Sequence, residues 1–434
     1  MNFAREVVDA ADPGRMALVA LGADGARREI AFGELADRSS RLAGHLAGLG
    51  VRSGDVVMTV VGNRPEWVEA MVACFRLGAV ALPCTEQLRP ADLRSRMEAV
   101  APRAVVADER DAATVEEAGF DGPVVRVPDE RLYEAQPAPA AELAPEDPAL
   151  IVFTSGTAGE PKPIRHGQRY LAGQDVQAEH WFGAREGDLC WCTAASGWSK
   201  SARNVFIAPW LRGATALLED VRFDPEQRLE TIEREGVRVL CMAPTEYRAV
   251  AKRAELRPLP SLRHAVAAGE PLNPEVVEAW REGTGVEVHD GELCVDPSTV
   301  PTFFLDGPDD VWRTGDRAGE DEDGYLWFEG RTDDVIISAG YRIGPFEVES
   351  ALISHPAVAE AAAVAAPDDV RGQVVRAVVV LRDGFEADEA LAGELQDHVK
   401  EQTAPYKYPR IVDFAESLPK TASGKIKRAQ LRSG

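Results

Sequence analysis

Apolar positions recur at helical spacing from Phe32 to Leu49, with Leu35, Leu42, Leu46 and Leu49 near one face, and the pattern stops at Gly50. The run Val56-Val57-Met58-Thr59-Val60-Val61 follows as a strand, and Pro65 opens the next helix. The rhythm repeats with a strand at Ala79-Val80-Ala81-Leu82, a helix from Pro90 and a strand at Ala104-Val105-Val106-Ala107. It returns with Val237-Arg238-Val239-Leu240-Cys241-Met242 and a helix from Pro274 to Thr284. Such alternation predicts an α/β fold, a large domain of mostly parallel sheets covered by helices. The Ala-, Pro- and Glu-rich stretch from Ala135 to Pro148 reads as a connector. After Arg331 a shorter unit follows, its clearest strand Val374 to Leu381 and its clearest helix Glu389 to Gln402. A chain of 434 residues exceeds what one core holds, so at least two folded units are expected.

Hydrophobic content of 45% and charged content of 28% are those of a globular protein, and no apolar run is long enough to span a membrane. The start Met1-Asn2-Phe3-Ala4-Arg5-Glu6 lacks a basic segment followed by an apolar one, so no secretory signal is read and a cytoplasmic location is expected. Cys74, Cys84, Cys190, Cys192, Cys241 and Cys294 have neither zinc-ribbon nor redox spacing. They are expected to be buried thiols, and no metal site is assigned to them. Net charge of −24 argues against nucleic acid and anionic membrane surfaces as partners. The segment Tyr406 to Gly434 reverses the sign, with seven Lys/Arg against two Asp/Glu. That reversal fits either an anion-handling tail or a solvated basic helix end. Oligomeric state is not legible.

The strand-like Leu150-Ile151-Val152-Phe153 opens into Thr154-Ser155-Gly156-Thr157-Ala158-Gly159-Glu160-Pro161-Lys162. Two glycines let the backbone approach an anion, hydroxyls and N–H groups can donate to its oxygens, and Lys162 adds a charge. The loop is not a Walker A loop. Aligned on Gly156 and Lys162, the second glycine becomes Pro161 and the Ser/Thr becomes Pro163, which removes N–H donors and the metal-binding hydroxyl.

This loop resembles the phosphate loop of the acyl-adenylate-forming (AMP-binding) enzymes. Five further motifs stand in that family's order: Ala268-Gly269-Glu270-Pro271, Trp312-Arg313-Thr314-Gly315-Asp316, Gly330-Arg331-Thr332-Asp333-Asp334, Ser338-Ala339-Gly340-Tyr341-Arg342-Ile343-Gly344 and Pro419-Lys420-Thr421-Ala422-Ser423-Gly424-Lys425. The C-terminal stretch is most similar to medium-chain acyl-CoA synthetases. The resemblance implies an AMP-forming acid:CoA ligase with ATP, a carboxylic (fatty) acid and coenzyme A as substrates. An enzyme that loads a separate carrier protein and a non-catalytic adenylate-binding protein are the alternatives. The resemblance also implies a large domain over residues 1–332 and a small mobile α+β domain over 333–434, hinged at Asp333. Lys425 would bridge carboxylate and nucleotide as the catalytic residue. Thr154, Ser155, Gly156, Thr157 and Lys162 would hold phosphate, Gly269, Glu270 and Pro271 would lie along adenine, and Asp316 and Arg331 would contact ribose. Gly340, Tyr341 and Arg342 would serve coenzyme A, and Trp198 would border the acyl pocket.

The pattern breaks near residue 290. Family members carry a Tyr-Gly-x-Thr-Glu motif and a block of β structure after the strand corresponding to Val286 to His289, whereas here His289-Asp290 runs directly into Gly291-Glu292. A truncated β subdomain is therefore expected. The family's magnesium-binding glutamate is missing with the block, and Asp290 or Glu292 is the nearest carboxylate to stand in. Asp290-Gly291 reads either as a hairpin turn or as a loop between strands of different sheets.

Overall fold

The computed structural model describes residues 1–154, 162–198, 200–268, 272, 274–286, 288–290, 316–320, 326–331, 334, 336–338, 341–368, 372–420 and 426–432. The chain divides into two compact units, Met1–Gly269 with Val277–Trp312, and Glu270–Val276 with Arg313–Gly434. Among the described residues no helix is long and apolar enough to cross a membrane.

The first unit opens with a hairpin of β1 (Met16–Leu21) and β2 (Arg27–Ala31). There follow α1 (Phe32–Gly48), β3 (Val56–Val60), α2 (Pro65–Leu77), β4 (Val80–Cys84), α3 (Pro90–Val100), β5 (Ala104–Asp108), α4 (Ala112–Ala118) and β6 (Val124–Val127). The predicted alternation is thus present. Helix α1 buries Phe32, Leu35, Leu42 and Leu46, and the chain leaves it through Gly50 at φ +89°, a backbone state that side chains disfavour. Pro65 and Pro90 each occupy the first turn of a helix, where no N–H partner is lost.

A second hairpin, β7 (Pro148–Thr154) and β8 (Lys162–Gly167), precedes α5 (Gln168–His180) and β9 (Leu189–Cys192). The chain continues through α6 (Ala208–Leu211), β10 (Thr215–Glu219), α7 (Pro225–Glu235), β11 (Val239–Met242), α8 (Pro244–Arg253), β12 (His264–Ala267), α9 (Pro274–Thr284) and β13 (Val288–Asp290). A π-helical turn at Arg203–Ile207 runs into α6.

Two sheets result. One has the order β6-β5-β3-β4-β7-β8 and is parallel except for β8, and the other has the order β13-β12-β11-β9-β10-β1-β2 and is parallel except for β2. One core joins them: Val57 and Ala81 of the first sheet cluster with Ala216 and Val239 of the second. Helix α2 is buried nearly all round, and its Trp67 meets Phe206 edge-on at 5.6 Å. Cys190, Trp191 and Cys192 are all buried, so β9 is covered on both faces, as strands of parallel sheets are. The five described cysteines are free and buried. Asp290 ends a strand parallel to β12, and Gly291 onward, where the hairpin was one reading, lies outside the described residues.

The second unit contains a hairpin of β14 (Asp316–Glu320) and β15 (Leu326–Arg331). It also contains β16 (Ile336–Ser338), β17 (Tyr341–Ile343), α10 (Pro345–Ile353), β18 (Val358–Asp368), β19 (Gly372–Leu381), α11 (Glu389–Gln402), β20 (Ile411–Phe414) and α12 (Arg428–Arg432). Its sheet runs β17-β16-β19-β18, with β20 parallel to β19. Val375 and Val379 face Val348, Leu352, Leu395 and Val399 of α10 and α11, while Val378 faces Leu418, so the strand is apolar at successive positions.

Candidate functional site

The loop expected to hold phosphate follows the carboxyl end of β7, a strand parallel to β4, where ligands of open α/β sheets bind. Thr154 is the last residue of β7 and stands opposite Lys162, the first of β8, so the two ends of the loop are held together by an antiparallel ladder. Lys162 is exposed. The loop returns into a strand, whereas a Walker A loop feeds a helix. Ser155, Gly156 and Thr157 lie outside the described residues.

Around this edge the carboxyl ends of both sheets meet. Asn63, after β3, donates its Nδ2 to the Ala194 carbonyl after β9 at 3.2 Å. At Gly197 the backbone itself touches β4: a Cβ there would lie 2.7 Å from the Cys84 carbonyl carbon and 2.9 Å from its Cα, with the Thr85 amide nitrogen closer still. Only glycine permits this crossing. Asp220, after β10, takes Arg110 at 3.0 Å, and Arg64 and Arg110 both bind the buried Asp108 at the end of β5. Burial opposes ionisation of Asp108, but hydrogen bonds from Arg110 and Arg64 outweigh it and hold its carboxyl below the usual range. Asp111 has the opposite fate. Burial, with Asp108 and Glu86 nearby, pushes its carboxyl up to about 6.

Trp198, half-buried, packs against the core of this unit one residue after the Gly197 crossing. Lys200 follows, its ammonium donating to the Ala268 carbonyl just beyond β12. Thr193 donates to Glu246, which also accepts the Ala243 amide at 3.3 Å and so fixes the start of α8 against the end of β9. Cys192 and Cys241 are registered neighbours on parallel strands. Their shared hydrogen bond, then burial, raises Cys241 well above an ordinary thiol. Gly269, Glu270 and Pro271 lie outside the described residues.

In the second unit, Asp316 and Arg331 are cross-strand partners in the β14–β15 ladder, which brings the two expected ribose contacts together in the backbone. Tyr341 and Arg342 lie on β17 opposite Ser338 and Ile337. Asp333, Gly340 and Lys425 lie outside the described residues. The stretch holding Lys425 is anchored at both ends: Lys420 and Ile426 form an antiparallel bridge, and the Lys427 amide donates to the Pro419 carbonyl at 2.8 Å. Much of the basic tail is neutralised within the unit. Lys420 pairs with Glu360 at 2.5 Å, Arg428 with Glu349 at 2.8 Å, Arg432 with Asp334 and Lys407 with Glu347. The local surplus of positive charge read from the sequence is therefore mostly structural at these four positions.

Sequence reasoning singled out Trp198 but missed Asn63, Gly197, Thr193, Lys200 and Glu246. Gly197 and Lys200 flank that tryptophan in a Gly-Trp-Ser-Lys run. The others carry no local signal, because sheet packing alone brings them to the edge.

The family model described as AMP-binding enzyme matches residues 5–291, and that described as AMP-binding enzyme C-terminal domain matches 347–425. The chain is 35% identical to the mitochondrial acyl-coenzyme A synthetase ACSM4 of Rattus norvegicus, over 99% of this chain and 90% of that one. It is also 35% identical to the acyl-CoA ligase YtcI of Bacillus subtilis, over 94% and 91%. Among solved structures, an acyl-CoA synthetase of Brucella canis aligns with a TM-score of 0.74 at 30% identity, over 100% of this chain and 94% of that one. A benzoate CoA ligase of Burkholderia xenovorans aligns with a TM-score of 0.85 at 26% identity, covering both chains fully. With the family model matched over residues 5–291 and this likeness along nearly its whole length, the chain belongs to the AMP-binding enzyme family.

Proposed function

We propose that this protein is an AMP-forming acid:CoA ligase. The observation that carries the proposal is the 35% identity to an acyl-coenzyme A synthetase over 99% of the chain. A carboxylate oxygen attacks the α-phosphorus of ATP, the bond to the leaving pyrophosphate breaks, and an acyl-adenylate forms. The thiol of coenzyme A then attacks the acyl carbon, its proton passes to solvent, AMP departs and a thioester remains. Negative charge crowds the first transition state, so positioning and fixed cations do most of the work.

Thr154, Ser155, Gly156, Thr157 and Lys162 are assigned to the phosphates, and the opposition of Thr154 to Lys162 across the hairpin supports a loop that curls around an anion. Asp316 and Arg331 are assigned to the ribose, supported by their cross-strand pairing. Gly269, Glu270 and Pro271 are assigned to adenine, Gly340, Tyr341 and Arg342 to coenzyme A, Asp333 to the hinge and Lys425 to the bridge between carboxylate and nucleotide, each on its motif. A lysine suits that bridge because a flexible ammonium reaches two anions at once. Trp198 is assigned to the border of the acyl pocket, supported by its half-buried place at the sheet edge.

Magnesium belongs to the same inference. Among the described residues no group of three or more His, Cys, Asp or Glu could hold a metal. The alignment to the rat enzyme extends over 521 residues against 434 in this chain, which supports a missing internal block. That block motivates the second reading, an adenylate-binding protein without turnover. Purified protein given ATP, coenzyme A and a panel of acids is expected to release AMP and form thioester. Nucleotide binding with no AMP from any acid would refute the ligase and favour the second reading.

A further inference from the structure

Two cations at the carboxyl edge of the seven-stranded sheet have no carboxylate partner among the described residues. Lys200 is half-buried and donates to the Ala268 carbonyl. Arg203, three residues on, opens the π-helical turn that runs into α6, and its Nε is buried without a hydrogen-bond partner. Its guanidinium engages the hydroxyl of the buried Tyr170. Both cations act on the Cys241 thiol, which gathers them around the ends of β9 and β11.

The carboxylates of this neighbourhood are already engaged. Glu246 takes Thr193, the Ala243 amide and, at 3.4 Å, Arg228. Glu219 takes Arg228 and, at 3.0 Å, Thr231. Arg38 and Arg64, also shielded in this unit, are by contrast matched with acids, Arg38 with Glu69 at 2.8 Å and Arg64 with Asp108. Leaving a cation half-buried and unmatched is unfavourable, all the more conspicuous in a chain of net charge −24, unless a ligand supplies the anion. Helical turns of the π type also concentrate at functional sites. An ammonium and a guanidinium together can grip both oxygens of one carboxylate, the guanidinium in a fixed fork.

We propose that Lys200 and Arg203 form a specificity subsite that selects acids bearing a second carboxylate at the end remote from the one activated. This rests on the ligase reading above. The test uses the full chain with ATP, coenzyme A and pairs of straight-chain acids of equal length, monocarboxylic against α,ω-dicarboxylic, with ω-hydroxy acids as a third arm, read as AMP and thioester. The best dicarboxylic acid is expected to exceed its monocarboxylic partner at least tenfold in kcat/KM. Lys200→Met and Arg203→Met are each expected to lower the dicarboxylic-to-monocarboxylic ratio at least tenfold. A ratio taken within one preparation is insensitive to the fraction folded, so a destabilised variant still reports. A wild-type preference for monocarboxylic or ω-hydroxy acids at every length, or variants that leave the ratio unchanged, overturns the subsite and leaves the ligase reading standing. Absence of turnover with every acid overturns both.

Discussion

Replacing Gly197 with alanine tests the joint between the two sheets. The added methyl would sit 2.7 Å from the Cys84 carbonyl carbon and nearer still to the Thr85 amide nitrogen, and both are backbone atoms of β4 and its exit. Ordinary contact begins at about 3.4 Å, so the loop carrying Trp198 and Lys200 must retreat by about 0.7 Å or more. Forcing one extra carbon into a packed contact costs about 1–3 kcal/mol. For a unit of this size that lowers the melting temperature on the order of 2 °C per kcal/mol. The effect on turnover is larger, because a displacement near 1 Å of groups that position a substrate can cost about a hundredfold. Calorimetric melting and kcat/KM for AMP release, measured on the same preparation, read both quantities. A Gly197→Ala protein that melts within 1 °C of the wild type and keeps full kcat/KM would refute the claim that this glycine is required by a close backbone approach.

Lys425→Ala is expected to abolish acyl-adenylate formation while sparing thioester formation from supplied acyl-adenylate; equal loss of both steps removes Lys425 from the bridging role. Asp111, held at about 6 in the fold against an ordinary 3.8, binds its proton more tightly when folded, so its contribution to stability is full below about pH 4 and is lost as pH rises through 6. Asp111→Asn should therefore stabilise the protein at pH 8 by up to about 1 kcal/mol after allowing for solvent screening, and leave it nearly unchanged at pH 4; melting curves at the two pH values check the sign. Arg38 pairs with the fully buried Glu69 at 2.8 Å and stacks 3.6 Å over the Tyr133 ring, so Arg38→Met strands a buried carboxylate and should cost about 3–5 kcal/mol in a urea titration. A loss below 1 kcal/mol would mean that the Tyr133 hydroxyl alone satisfies Glu69.

Much of the fold was legible along the chain. Helices α9 and α11 begin and end where the periodicity and their boundary residues predict, β3 and β11 fall within their apolar runs, and β5 extends its run by one residue to Asp108, because secondary structure answers to spacing and to local backbone preferences. The motifs likewise identified the family, since each lies within a few consecutive residues. The alternation also set the class as parallel α/β, yet it did not say that there are two such sheets sharing one core through α2.

Tertiary structure alone decided the rest. Asn63 reaches Ala194 and Gly197 touches Cys84 across separations of more than a hundred residues, and no periodicity encodes which strand ends will meet. The same holds for charge. Counting residues gave a basic tail, while folding paired Lys407, Lys420, Arg428 and Arg432 with acids and left Lys200 and Arg203, close after Trp198, without such partners among the described residues. Composition fixes how many charges a chain carries, but only packing determines which of them are neutralised, because an ion pair depends on distance in space and on the water excluded around it.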